Sequence, residues 1–311
     1  MTAVAVWGAR GFVGRHAVQA LHAQGLQVRA LTRPERDTTG LFPAGVEVRH
    51  AEYASKEADL AHALEGADVA INCTGDAEAP VAELNQYADA AGKFAAIACS
   101  QGARRVIHLS SVSVYGAQGA ARVDTAAPLQ PHTPYAESRA RAEALVRAAA
   151  GDRAVLLRVP MVIGAGMRSD AIGRVLAMTP GGWFPHPGPA TAVLPCIGVT
   201  RLAAAIARLA VAPSAPALLQ LADNPTWITL AGRALARRGQ TLKPVRVPMA
   251  LAWLAMRAAF GARAAAGLYW LASETQYADQ SSVIFDDAVD APATLDDYDR
   301  YCAALPERRA V

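Results

Sequence analysis

The chain has 311 residues, 53% of them hydrophobic and 18% charged, with a formal net charge of +3. That length holds about two domains, and that balance excludes an intrinsically disordered chain. The basic residues are scattered rather than clustered with aromatics, which argues against a nucleic-acid partner.

In chain order, the first half alternates short apolar runs with helical stripes. Strands are predicted at Ala3–Trp7, Leu26–Leu31, Val46–His50, Val69–Cys73, Val106–Ser110 and Ala154–Val159. Helices are predicted at Gly11–Gln24, Asp59–Leu64, Glu83–Ser100 and Tyr135–Ala149. Such alternation indicates βαβ units and a doubly wound parallel α/β sheet, the Rossmann arrangement. Residues 179–195 carry so many Pro and Gly residues that they read as an irregular loop on the substrate side. A helix at Thr200–Val211 and a strand at Leu218–Ala222 follow. The expected organisation is a dinucleotide-binding domain over residues 1–163, to which 196–226 return. Residues 164–195 and 227–311 then form a smaller irregular substrate-binding region.

Cys73, Cys99, Cys196 and Cys302 lie far apart without a CxxC pair, so neither a disulfide frame nor a metal site is expected. No charged-then-apolar leader opens the sequence, and a cytoplasmic location is expected. The apolar stretch Val247–Ala272 is broken by Arg257, Gly261, Arg263 and Gly267. A spanning helix needs ~20 mostly apolar residues, so packed or amphipathic helices are expected there and no stable membrane insertion.

The first strand runs into Gly8-Ala9-Arg10-Gly11-Phe12-Val13-Gly14, a GxxGxxG turn entering a helix. Gly8 permits the tight turn, Gly11 lets the backbone approach a pyrophosphate, and Gly14 lets helix pack closely on strand. The phosphates then meet unpaired N–H groups at the helix N-terminus. The second strand ends in Arg29-Ala30-Leu31-Thr32-Arg33, with Arg36 behind and no acid. An acid there would bond the 2′-OH of NAD, whereas an arginine suits a 2′-phosphate, so NADP is favoured over NAD through Arg33.

Three later segments join the glycine turn: His108-Leu109-Ser110-Ser111-Val112-Ser113-Val114-Tyr115-Gly116, Asp124 to Tyr135, and Arg158-Val159-Pro160-Met161-Val162-Ile163-Gly164. With these four in order, the chain resembles an extended short-chain dehydrogenase/reductase over residues 2–225. That family comprises NAD(P)-dependent nucleotide-sugar epimerases, dehydratases and related reductases. The resemblance implies that Ser111 and Tyr135 are catalytic and that Pro160 and Val162 line the nicotinamide. It places Glu52 by the adenine amino group, and Thr74 and Gly75 by the adenosine ribose. It also implies a homodimer through the helices at 83–100 and 135–149.

The family's catalytic lysine, four residues after the tyrosine, is here Arg139. A tyrosine at its ordinary pKa of ~10 is a poor base at neutral pH and needs a nearby cation. Arginine keeps the charge at the right helical offset but replaces a compact ammonium with a wide planar fork. Three readings of Arg139 stay open: a working substitute, the mark of a chain that has lost activity, or an arrangement for another substrate. Val112 and Ser113 stand where the dehydratase branch has its acidic pair, which disfavours dehydration.

The resulting expectation is an NAD(P)-dependent epimerase or reductase acting on a secondary alcohol or ketone of a nucleotide sugar. One alternative is an NADPH-dependent reductase of a steroid- or polyketide-like alcohol, suggested by Trp253, Phe260, Tyr269 and Trp270. The other is a catalytically silent dinucleotide-binding sensor or assembly protein. His132 and His186 are expected on loops near the cleft, and Ser281–Asp286 faintly resembles a C-terminal strand of the sugar-modifying members.

Overall fold

The structure is a computed structural model that describes residues 2–117, 122–167, 171–177, 179–261, 267–285 and 293–305. In its first half, strands β1 (Ala3–Trp7), β2 (Gln27–Thr32), β3 (Glu47–His50), β4 (Val69–Asn72) and β5 (Arg105–Ser111) alternate with helices α1 (Phe12–Ala23), α2 (Glu57–Leu64) and α3 (Val81–Ser100). The short β6 (Arg122–Val123), α4 (Pro134–Ala150), β7 (Ala154–Val159) and β8 (Met161–Ile163) follow. The later part comprises α5 (Ala171–Ala177), β9 (Trp183–His186), β10 (Cys196–Gly198), α6 (Val199–Val211), β11 (Leu218–Gln220), α7 (Trp227–Ala236), β12 (Lys243–Arg246), α8 (Met249–Phe260), β13 (Gln276–Tyr277) and a helix at Thr294–Ala304.

Seven strands form one parallel sheet in the order β11-β7-β5-β4-β1-β2-β3. The doubly wound fold expected from the alternating pattern is therefore present. β4 and β7 are buried along their whole length, as the continuous apolar runs of a sheet covered on both faces require. One face packs on α1 and α6 through Val4, Val6, Val18, Ile71, Ile107 and Ile206. The opposite face packs on α2, α3 and α4 through Trp7, Leu31, Leu60, Phe94, Val106 and Val146. The chain leaves β1 toward β2 and β3, then returns to place β4 on the other side of β1. That reversal opens a crevice at the carboxyl ends of β1 and β4, the ordinary ligand position in such sheets.

A third apolar cluster gathers Ile163, Phe184, Trp227, Leu230, Leu268 and Tyr298 from the later elements. Here the sequence reading needs correction, because residues 179–195 are not wholly irregular. Trp183–His186 form β9, which pairs in parallel with Lys243–Arg246 of β12. Each strand contains a proline, Pro185 and Pro244, and a two-stranded ribbon tolerates them where a central strand would not. His186 accordingly lies on a strand, buried and bonded through Nδ1 to the Gly188 carbonyl at 2.8 Å, rather than on a loop. His132 is exposed on a loop. Ser281–Val283 form a short 3-10 turn rather than a strand, and Asp286 lies outside the described residues.

Candidate active site

Gly8 ends β1 with φ +77, a backbone conformation that favours glycine. The Gly11 amide donates to the Gly8 carbonyl at 2.9 Å, which closes the turn. A Cβ on Gly14 would collide with that carbonyl and come within 2.9 Å of the Ala9 Cα, so α1 could not approach β1 this closely with any other residue. Gly11 caps α1 without a side-chain hydrogen bond, and no acid lies in the first turn. The first intrahelical bond runs from the Arg15 amide to Gly11, leaving the amides of Phe12, Val13 and Gly14 as donors without an intrahelical partner. Gly8 also touches the end of β4, since a Cβ on it would lie 3.0 Å from Thr74. The turn and Thr74 thus share the crevice between β1 and β4. The donor set is of the kind that suits a diphosphate.

Helix α4 carries the tyrosine. Thr133 caps it by accepting the Ala136 amide at 3.1 Å, and Pro134 supplies the favoured first-turn residue. Tyr135, Arg139 and Glu143 then recur at a spacing of four residues and share one helical face. Tyr135 is half-buried, whereas Arg139 and Glu143 are buried.

The Arg139 guanidinium is held on several sides. Its Nη1 donates to the Tyr87 hydroxyl at 2.5 Å, the Leu109 carbonyl at 3.1 Å and the Thr74 carbonyl at 3.3 Å. Its Cζ lies 4.4 Å from the centre of the Tyr87 ring and 5.0 Å from that of Tyr135, so the cation faces two aromatic rings. Gly75 admits it: a Cβ there would collide with Nη2 and lie 2.7 Å from Cζ. Among the described residues no carboxylate pairs with Arg139. Burial works against its charge, but the facing phenols of Tyr135, Tyr87 and Tyr53 outweigh that, and the guanidinium stays above its ordinary pKa.

Behind this cation, Tyr87 bonds the His108 Nε2 at 3.2 Å. His108 is fully buried, and burial together with the nearby Arg139 charge pushes its imidazole down to about 3. It is therefore neutral at neutral pH, and its Nδ1 has no hydrogen-bond partner among the described residues. Burial likewise pushes the Tyr87 phenol up, against the pull of Arg139. In the adjacent register position on β4, Asn72 accepts the Thr74 amide at 2.9 Å and the Thr74 hydroxyl at 2.6 Å, which fixes the turn that receives Arg139.

Ser111 closes β5 and is half-buried, its Oγ accepting the Ser113 amide at 3.2 Å. Its neighbour Ser110 turns inward and donates to Glu143 Oε1 at 2.6 Å. Glu143 also forms a two-pronged pair with Arg158, at 2.9 Å through Nε and 2.6 Å through Nη2. Arg158 donates onward to the Tyr115 hydroxyl at 2.9 Å. Burial disfavours the Arg158 charge, but Glu143 more than restores it.

The structure thus brings Gly8, Thr74, Gly75, Tyr135 and Arg139 together where β1, β4 and β5 end. Phe12 reaches the neighbouring Gly164 loop, its Cζ 3.4 Å from where a Gly164 Cβ would stand. Pro160 is buried and Val162 half-buried beside it on β8. Arg10, Arg33 and Glu52 are exposed. Arg10 donates to the Asp37 carbonyl at 3.3 Å, and Arg33 pairs with Glu83 at 3.2 Å while lying 6.0 Å from the Tyr53 ring centre. The Glu52 amide donates to the Ser55 hydroxyl at 2.9 Å. Sequence reasoning did not identify Tyr87, His108 or Glu143. For Glu143 a signal existed, the continuation of the Tyr135/Arg139 spacing by one more turn.

A family model described as NAD dependent epimerase/dehydratase family matches residues 4–179. The 4-hydroxy-2-methyl-3-oxo-4-farnesyl-3,4-dihydroquinoline-1-oxide ketoreductase of Stigmatella aurantiaca is 31% identical over 153 residues, covering 47% of this chain and 45% of that protein. UDP-glucose 4-epimerase of Azospirillum brasilense is 28% identical over 187 residues, covering 57% of this chain and 53% of that protein. The chain spans about half the length of the curated relatives it matches. Among solved structures, UDP-N-acetylglucosamine 4-epimerase from Bacillus cereus superposes with a TM-score of 0.73 at 13% identity, covering 100% of this chain and 99% of that one. UDP-glucuronic acid 4-epimerase from Bacillus cereus, solved with NAD, gives 0.71 at 15% identity, covering 97% and 98%. These structural likenesses show the fold, and with residues 4–179 inside the family match the chain belongs to the NAD-dependent epimerase/dehydratase family.

Proposed function

We propose that the protein is an NAD(P)-dependent epimerase or reductase that acts on a secondary alcohol or ketone, with a nucleotide sugar as the leading substrate class. The observation that carries this reading is the Arg139 guanidinium, buried beside the Tyr135 ring with no carboxylate partner among the described residues. With this fixed cation beside its ring, Tyr135 acts as base toward a substrate hydroxyl or as acid toward a ketone. Ser111 bonds the same substrate oxygen and orients it. The amides of Phe12, Val13 and Gly14 hold the diphosphate of the dinucleotide, and Thr74 and Gly75 line its ribose. When bound, the nicotinamide supplies the hydride acceptor or donor. Pro160 and Val162 flank that ring. Arg33 and the lack of an acid at the end of β2 favour NADP over NAD, and Glu52 would serve the adenine amino group.

A second reading, a ketoreductase of a hydrophobic substrate, is favoured by the match to the Stigmatella aurantiaca ketoreductase. Trp253, which packs partly buried on the third apolar cluster, suits it. The side chains of Phe260, Tyr269 and Trp270 lie outside the described residues.

The test is turnover of nucleotide sugars and of apolar ketones with each dinucleotide, in the unaltered protein and in Tyr135→Phe. Loss of the acid/base is expected to cost at least about a hundredfold in rate, with dinucleotide affinity nearly unchanged. Turnover that survives in Tyr135→Phe refutes the assignment. Dinucleotide binding without turnover of any substrate supports the silent binding protein instead.

A further inference from the structure

From Asn224 to Ser273 the sequence contains no Asp or Glu, although the chain holds 27 acids in all. The same segment displays exposed Arg237 and Arg238 after α7, Lys243 and Arg246 on β12, and Arg257 on α8. Net charge is +3 for the whole chain, so this is a local excess of positive charge rather than a general one.

Helix α8 adds an unusual surface to it. Trp253 and Met256 pack, partly buried, on the third apolar cluster. The opposite side is apolar as well. Leu251 and Leu254 are 60% and 61% exposed, and with exposed Ala255 and Ala258 they fall at the spacing of one helical stripe. A helix apolar on both sides is ordinarily covered on both sides. On the adjoining ribbon Trp183 is 54% exposed, with the Lys243 Nζ 5.5 Å from its ring centre. Exposed leucines, an amphipathic tryptophan and flanking cations form the residue set of a membrane interface.

We propose that β12 and α8 form a docking face for an anionic lipid surface, with α8 lying in the headgroup plane. The length of α8 excludes spanning. Its 12 residues extend ~18 Å at ~1.5 Å per residue, against a hydrocarbon core of ~30 Å. Charge selects the lipid over a second copy of the chain. A two-fold contact through this face would bring its cations, Arg246 and Arg257 among them, onto a face of the same positive charge. Anionic headgroups instead neutralise those residues while the leucine stripe enters the acyl boundary.

The experiment is co-sedimentation of the full chain with vesicles of equimolar phosphatidylcholine and phosphatidylglycerol, and with vesicles of phosphatidylcholine alone. Partitioning into the mixed vesicles is expected, and the pure phosphatidylcholine arm is expected to fall at least about fivefold, the worth of one basic residue at the surface. Leu251→Ser/Leu254→Ser should lower partitioning about tenfold or more, because two buried side chains leave the interface. Arg246→Glu/Arg257→Glu should abolish the preference for phosphatidylglycerol. Both variants should keep the thermal midpoint and dinucleotide affinity of the parent, since neither touches the candidate site. Absence of partitioning, or partitioning that the double leucine variant retains, overturns the proposal. So does a dimer in sedimentation equilibrium that Leu251→Ser/Leu254→Ser dissolves, because a second copy then covers the face.

Discussion

Replacing Glu143 by alanine tests how the floor of the site is held. The Glu143–Arg158 pair is nearly solvent-free, with side chains 2% and 4% exposed. Alanine removes both prongs to Arg158 and the acceptor of the Ser110 hydroxyl. Among the described residues, Arg158 then keeps only the Tyr115 phenol for its buried charge. Breaking a buried pair by removing one partner costs about 3–5 kcal/mol. At about 2 °C per kcal/mol for a chain of this size, the thermal midpoint should fall by roughly 6–10 °C. Urea unfolding followed by far-UV circular dichroism measures the loss. The double variant Glu143→Ala/Arg158→Met separates the causes, because it removes the stranded charge while deepening the packing defect only slightly. It should regain part of the stability lost in the single variant. A single variant within about 1 kcal/mol of the parent, or a double variant less stable than the single, refutes the reasoning.

Two further perturbations address the neighbouring elements. Gly14→Ala places a methyl group against the Gly8 carbonyl and the Ala9 Cα, so α1 must retreat from β1. Dinucleotide affinity, read by intrinsic fluorescence titration, should drop at least about tenfold, and unchanged affinity would show that the turn does not hold the diphosphate. His108 predicts an acid sensitivity. Its folded pKa is about 3, whereas the unfolded value is ~6.5, so between these pH values the unfolded chain binds a proton that the folded chain excludes. Stability should therefore fall as pH drops below ~6.5, by up to ~1.4 kcal/mol per pH unit from this group. His108→Gln should flatten the stability curve by about one proton in that window. Parallel curves for the two proteins would remove His108 as the cause.

What the sequence made legible follows the range of the interactions involved. The glycine turn was readable because its constraint is local: Gly8 needs a positive φ, and Gly14 must vanish sterically beside a backbone only six residues away. The spacing of Tyr135 and Arg139 was readable for the same reason, one turn of one helix. Central sheet strands were found because burial on both faces writes a short apolar run, as in Val69-Ala70-Ile71. β9 and β12 were missed because a two-stranded ribbon needs no such run and admits Pro185 and Pro244. Tyr87 and His108 were invisible because their meaning lies in tertiary contact. Tyr87 reaches Arg139 across 52 residues of chain and His108 across 21. No periodicity marks a tyrosine that faces a cation rather than a core.

Those two residues bear on why an arginine stands where the resemblance led one to expect lysine. An ammonium is a point charge with three donors and no planar face, whereas a guanidinium can stack on rings and bond within its plane at once. The pocket at Arg139 asks for the second kind of cation. Two tyrosine rings lie within 5.0 Å of Cζ, and the hydroxyl of one of them, Tyr87, accepts from Nη1. Gly75 leaves room for Nη2 that a Cβ would fill. A lysine here would lose the stacking and leave the Tyr87 hydroxyl, already bonded to a neutral histidine, facing a differently shaped donor. The substitution is therefore matched by its surroundings, which weighs against chance drift at a position released from use. It also supports the reading in which the charge beside Tyr135 is kept by other means, with Tyr87 as the residue that positions it.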